Sequence, residues 1–190
     1  APEPNKYGPP KIYIAGVGPL MTEVAAEVGD GYFLHPFNTA LSTDELSLAA
    51  ITRGLDKSGK SRADYEVSAQ VITATGLDEE SMQTAIASAR NQIAFYASTP
   101  AYLPVLQCHG WESLQADANQ MMRAGKWTQL NDLIDDDILN TFAVVGTPAE
   151  VAQKIAARYR GKVERISPVV YQPDVALLAE LRCQISSAVN

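Results

Sequence analysis

Cysteine, histidine and runs of positive charge are all scarce in this sequence. Two cysteines, Cys108 and Cys183, and two histidines, His35 and His109, exclude a disulfide-built scaffold and a C-x-x-C metal site. The thiols are expected to be reduced, and no metal is expected, with carboxylate-only cation sites left open. The formal net charge of −7, with no Lys/Arg run to offset it, opposes phosphate backbones and anionic lipid. Neither nucleic acid nor a membrane surface is therefore an expected partner. No apolar stretch approaches the roughly 18 residues of a membrane span. The start, Ala1-Pro2-Glu3-Pro4, has neither a basic n-region nor an apolar h-region, and a cytoplasmic location is expected. A G-x-S-x-G elbow and a Cys/His pair in a convincing turn are also missing, which disfavours hydrolase chemistry.

What remains is ordinary in composition: 46% apolar and 19% charged residues over 190 positions, enough for a folded domain with a real core. Residues 1–10 are rich in proline and read as a linker, with one domain over 11–190. Lys11-Ile12-Tyr13-Ile14-Ala15 is a β-rich run, and after it Leu20, Val24, Ala25 and Val28 recur at helical spacing. A second strand covers Tyr32 to His35, and Ser42 with Glu45 has the spacing of a capping box for a helix to about Lys57. A third strand spans Tyr65 to about Ala74, with a long helix from Asp78. Residues 96–142 read as a helical insertion broken near Pro100, Pro104, Gly110 and Gly125. Thr147-Pro148-Ala149-Glu150 starts a helix to about Tyr159. A last strand over Val163 to Tyr171, with Pro168 marking it as short or bulged, precedes a helix from Asp174. Four strands alternating with helices predict an α/β fold with a parallel sheet. Four cannot close into a barrel, so edges at Ile12-Ile14 and Ile166-Val170 are left to be covered.

The residues with chemical potential lie at strand ends. Ala15-Gly16-Val17-Gly18-Pro19 joins a strand to a helix and has the form of a phosphate site, with free N–H groups at the positive end of the helix. A plain chain reversal accounts for it equally. His35 closes the second strand, at the end where parallel α/β proteins hold ligands, and Asn38 and Thr39 follow it; a histidine bonded to backbone and ordinary turn and pre-cap residues are the competing reading. Tyr96 and Tyr102 have the character of pocket-lining rings or of core, Trp111 reads as core, and Asp135-Asp136-Asp137 as a solvated helix start.

The stretch Pro10 to Pro19, followed by Glu27-Val28-Gly29-Asp30-Gly31, resembles the fifth strand, fifth helix and start of the sixth strand of luciferase-like monooxygenases. Phe142-Ala143-Val144-Val145-Gly146-Thr147-Pro148-Ala149-Glu150-Val151 is similar to the element leading into that family's last barrel strand. Residues 93–102 and Leu34-His35-Pro36-Phe37 look most like the branch that uses a deazaflavin coenzyme. The resemblance implies the C-terminal half of a (β/α)8 TIM barrel. It implies the coenzyme phosphate at Ala15, Gly16, Val17 and Gly18, and a substrate pocket near His35, Asn38, Tyr96 and Tyr102. The implied cofactor is the deazaflavin coenzyme F420, with FMN the alternative, in an oxidoreductase transferring hydride or oxygen. The implied partners are a small-molecule substrate and either a missing N-terminal half, which would carry most of the ring contacts and the catalytic residues, or a second copy. A non-catalytic half-barrel that serves binding or assembly is the competing reading.

Overall fold

The computed structural model describes residues 6–189. The first five residues of the expected linker lie outside the described residues. Strand β1 (Tyr13–Ala15) is followed by α1 (Pro19–Val28), β2 (Gly31–Leu34), a single turn α2 (Ala40–Ser42), a π-helical run over Thr43–Leu48 and α3 (Ala49–Ser58). Strand β3 (Glu66–Ala74) leads to α4 (Glu79–Ala97), and the insertion holds α5 (Leu103–Gln107), α6 (Glu112–Arg123) and α7 (Asp136–Phe142). The chain ends with β4 (Val144–Val145), α8 (Pro148–Tyr159), β5 (Arg165–Val170) and α9 (Val175–Val189). All strand pairs are parallel.

Strand β3 is the hub of the sheet. Residues Glu66 to Ala69 pair with β2, Ser68 to Thr73 pair with β5, and Thr73 and Ala74 pair with β4. Because Thr73 has partners in both β4 and β5, those two lie on opposite edges of β3. Strand β4 therefore extends the edge where β2 stops. This two-residue strand joins the four expected ones; two residues are too few for a period-2 pattern to register. Of the two expectations for this strand, short or bulged, the first holds: β5 is shorter than 163–171 and keeps continuous register from Arg165 to Val170 through Pro168. Pro168 lies on an edge strand, where a missing N–H is tolerated.

Alternation along β3 builds two cores. Val67, Ala69 and Val71 face α1, α3, α8 and α9, where they pack with Ala25, Ile51, Leu55, Ile155 and Leu181. Ile72 and Ala74 belong to the other cluster, made with Ala85, Ile93, Leu106 and Phe142 of α4 and the insertion. The insertion thus roofs one face at the C-terminal ends of the strands. Near the N-terminal ends the roofed face is bare, and Phe33 there is 39% exposed.

The start of the helical stretch after β2 differs from the expected Ser42–Glu45 box. Thr39 is the N-cap and Ser42 its partner, each side chain bonded to the other's backbone N–H. Thr39 has the extended backbone (φ −124°) that an N-cap requires, whereas Ser42 is already helical (φ −66°). The expected Thr147–Glu150 cap stands on α8, and Asp78, where the long helix was expected to begin, caps α4 together with Ser81.

Helices α1 and α3 approach most closely at Gly54, where an added Cβ would lie 2.2 Å from the Glu23 carbonyl oxygen and 2.8 Å from Ala26 Cβ. Gly54→Ala is therefore expected to destabilise the chain by about 1–3 kcal/mol through overpacking. Urea unfolding measures this, and an unchanged midpoint would show that α1 and α3 separate without penalty.

Candidate functional site

The turn between β1 and α1 is shaped from beneath. Tyr32 and Thr22, each 2% exposed, hold its carbonyls inward: Tyr32 Oη donates to Gly16 O (2.7 Å), and Thr22 Oγ1 donates to Gly18 O (2.9 Å). The two hydroxyls also meet at 3.0 Å. In a planar trans peptide the N–H points opposite the C=O, so tying Gly16 O inward turns the Val17 N–H outward. No hydrogen bond among the described residues uses the N–H of Val17 or Gly18. Gly18 has φ 82° and, as N-cap of α1, provides no side-chain bond; no acidic residue stands in the first turn. The helix start is open to an anion on both geometric and electrostatic grounds. Tyr32 and Thr22 were not singled out from the sequence. A tyrosine within a strand and a threonine within a helix carry no local signal for this task.

The same cleft is lined by Gly16, Val17, Gly18, His35, Asn38 and Tyr102, whereas Ala15 ends β1 outside this lining. It encloses about 40 Å³, room for on the order of a few waters, so this chain alone does not enclose a flavin-sized ring. His35 stacks on Tyr102 with ring centroids 4.7 Å apart, and Tyr96 meets it edge-on at 4.8 Å. The structure thus gathers the three expected rings. Trp111 packs against the core and stacks on His109 at 4.7 Å, and Asp135 caps α7 through Ile138 N (2.8 Å).

Hydrogen bonding fixes the state of His35. Phe37 N–H donates to its Nδ1 (3.1 Å), which requires that nitrogen to be unprotonated. The proton then resides on Nε2 and is donated to Tyr102 Oη at 3.0 Å. Tyr102's own O–H is left to donate into the cleft. Asn38 is employed differently, because all of its amide is engaged within the protein. Nδ2 donates to His35 O (2.6 Å) and Gln70 O (3.1 Å), while Oδ1 accepts from Tyr159 (2.7 Å) and Thr43 (3.3 Å). At 4% exposed it has nothing left for a ligand; it fixes the backbone beneath His35.

A parallel α/β sheet with a cleft at the carboxyl ends of its strands defines the class: a barrel-type arrangement carried on an open set of strands. The chain belongs to the luciferase-like monooxygenase family, whose model matches residues 1–165. The uncharacterised protein Rv1360 of Mycobacterium tuberculosis is 42% identical over 168 residues, 88% of this chain and 49% of that protein. The 5,10-methylenetetrahydromethanopterin reductase of Archaeoglobus fulgidus is 31% identical over 157 residues, covering 79% of this chain and 45% of the relative. Among solved structures, the coenzyme F420 dependent tetrahydromethanopterin reductase from Methanopyrus kandleri superposes with a TM-score of 0.75 at 21% identity, over 95% of this chain and 51% of that one. EDTA monooxygenase from Chelativorans sp. BNC1 gives a TM-score of 0.60 at 14% identity, over 98% of this chain and 49% of the other. The chain therefore spans about half the length of the relatives it matches, and its fold is half of a TIM barrel. No helix among the described residues is long and apolar enough to cross a membrane.

Burial holds the His35 ring below its ordinary pKa of 6.5. The unfolded ring takes up a proton first as pH falls, so the stability contributed by neutral His35 is complete above about 6.5 and is lost as pH falls toward the folded pKa. His109 shifts in the same direction through burial, opposed by Glu45. The His35 ring resonance is expected to titrate below pH 6.5 in a proton NMR series, and His35→Gln to flatten part of the loss of stability between pH 7 and 5. A midpoint at or above 6.5 would remove the neutral, Nε2-protonated assignment.

Proposed function

We propose that this chain supplies the coenzyme-phosphate half of a luciferase-like oxidoreductase, with the deazaflavin coenzyme F420 as cofactor and FMN as the alternative. The observation that carries this reading is the turn at Gly16-Val17-Gly18. Its carbonyls are tied inward, its N–H groups are unused, and the helix behind it lacks any capping side chain. Those features fit a phosphate group, whose oxygens accept from outward N–H groups and are favoured by the positive helix end. The names of two structural neighbours, an F420-dependent tetrahydromethanopterin reductase and an F420-dependent secondary alcohol dehydrogenase, weigh toward the deazaflavin.

The coenzyme, when bound, supplies the hydride or oxygen chemistry. The protein's part is to hold and orient. Gly16, Val17 and Gly18 hold the phosphate; His35 and Tyr102 line the adjoining pocket for a small-molecule substrate, with Tyr96 packed edge-on against His35 and Tyr102 Oη offering a proton to an acceptor there. Asn38, expected at first as a substrate contact, is assigned to positioning His35. The catalytic residues that face the reacting ring are assigned to the other half of the barrel, and this chain alone is expected to be inactive.

The test is coenzyme titration of the assembled barrel, followed by coenzyme fluorescence. F420 is expected to bind more tightly than FMN, and Gly18→Val to weaken binding by roughly tenfold or more, equivalent to about 1.4 kcal/mol, because a β-branched residue at φ 82° must rebuild the turn. Unchanged affinity in that variant would place the phosphate elsewhere.

A second reading, assembly without catalysis, has its own observation. Among the described residues, strand β1 pairs only with β2, and β5 only with β3, so each has one edge without a described partner. Beside β1, Leu20, Val24 and Val28 form an exposed stripe on α1, at 74%, 39% and 66%. Both readings require these surfaces to be covered, by an N-terminal half-barrel or by a second copy. Light scattering after size exclusion is expected to give a mass above that of a single 190-residue chain. A stable monomer with both edges in water would defeat the half-barrel assembly.

A further inference from the structure

Helix α4 and the insertion border a second cavity at the C-terminal rim, and it shares no lining residue with the His35 cleft. Its volume is about 670 Å³, within the roughly 300–1,000 Å³ of small-molecule sites. Phe95 follows Gln92 and Asn91 by one helical turn, so α4 sends all three to one face of the cavity. Trp127 opens the 3₁₀-helical run Trp127–Leu133, and Gln172 follows the end of β5. Phe95 and Trp127 are 44% and 53% exposed. A single exposed ring is ordinary, but two on one cavity form an apolar surface held open to solvent. The carboxamides of Asn91, Gln92 and Gln172 have no hydrogen-bond partner among the described residues, unlike that of Asn38, which is wholly engaged. Gln172 is also the one non-glycine residue at positive φ among the described residues, at 56°, a strained state of the kind that collects at ligand sites. No Lys, Arg, Asp, Glu or His lines the cavity, in a chain with 15 basic and 22 acidic residues.

We propose that this cavity binds an uncharged sugar ring, with Phe95 or Trp127 against the sugar's C–H face and the carboxamides bonded to its hydroxyls. The C–H groups on one face of a pyranose carry partial positive charge and suit the negative face of an aromatic ring. Sugar hydroxyls donate and accept at once, and a carboxamide offers both roles side by side, two N–H donors and a carbonyl acceptor. A ligand with carbonyls alone would use half of that capacity, and a purely apolar one none of it. A sugar carrying a carboxylate finds no cation in the lining to offset its desolvation. The other half of a barrel is a different occupant: it answers the open edges of β1 and β5. These side chains stand on α4, on the insertion and beyond the end of β5, at the mouth that a completed barrel keeps open to ligands. The proposal rests on neither the coenzyme nor the oxidoreductase reading.

The test uses the whole chain, labelled with nitrogen-15, and three probes: methyl β-glucopyranoside, glucuronate and cyclohexanol. The chain has two tryptophans, and Trp127→Phe identifies the Trp127 indole N–H signal by its loss. Methyl glucoside is expected to shift that signal saturably and to bind at least fivefold more tightly than either other probe. Phe95→Ala and Asn91→Ala are each expected to weaken methyl glucoside at least threefold. Asn91 is exposed and has no described bond to lose, so its variant keeps the thermal midpoint and reads the site even where Phe95→Ala lowers it. The site is overturned by absent saturation, by glucuronate binding as tightly, by cyclohexanol binding as tightly, which would reveal a bare apolar patch, or by unchanged affinity in the Asn91→Ala chain. No coenzyme takes part, so failure here is distinct from failure of the phosphate assignment.

Discussion

The nine residues of β3 satisfy backbone hydrogen bonds for three of the four other strands, and the placement of the cleft follows from that. A strand has two edges and two faces. Its edges fix where β2, β4 and β5 end, and its alternating side chains divide the helices into an outer layer and an inner roof. Val67, Ala69 and Val71 hold the outer layer, while Ile72 and Ala74 hold the insertion. A one-residue slip in β3 would exchange those sets and detach the insertion, with Tyr96 and Tyr102, from His35. The aromatic cluster is therefore positioned by register rather than by its own contacts.

The opposite end of the sheet is held by charge. Glu66 opens β3 and gathers Lys11 at 2.6 Å and Arg165 at 2.9 Å, with the Tyr13 hydroxyl also donating to it. Hydrogen bonds from Lys11 and Tyr13, ahead of that from Arg165, hold its carboxyl at about 2. These groups come from β1, β3, β5 and the segment before β1, so the cluster pins the N-terminal ends of three strands. Gly31 makes this possible: its absent Cβ would lie 2.5 Å from the Tyr13 ring and 2.6 Å from the Glu66 carbonyl oxygen. As an exposed network it contributes geometry more than energy.

The strand-and-helix order, the insertion and most helix starts were legible because they rest on short-range patterns: period, capping residues, Pro and Gly. The 148–159 helix matched at both ends, since Thr147, Pro148 and Glu150 each have a local role. Legibility failed where a distant partner decides. Ser42 and Glu45 had the right spacing for a cap, but the conformation of Thr39 prevailed, and nothing in Thr43–Leu48 announced a π-helical run. The site was half visible. The glycine turn and His35 could be found at strand ends, whereas Tyr32, 16 residues from the carbonyl it holds, and Tyr159, 121 residues from Asn38, act through tertiary contacts.

Several departures from local consistency lie on one rim. Helices α4, α7 and α8 each have a capping side chain and acidic residues in the first turn, while α1 has neither; an absent cap forgoes about 0.5–2 kcal/mol. Gly18 at φ 82°, Gln172 at φ 56° and the unpaired hydroxyls of Thr75 and Tyr171 all lie at the C-terminal ends of strands. At the N-terminal rim the Glu66 carboxylate is fully partnered, while the hydroxyl of the preceding Tyr65 is also buried without a partner among the described residues. Sequences that specify one fold are consistent across levels except where a site demands otherwise. On the C-terminal rim the departures include the uncapped glycine turn, with the His35 and Tyr102 rings lining the same cleft.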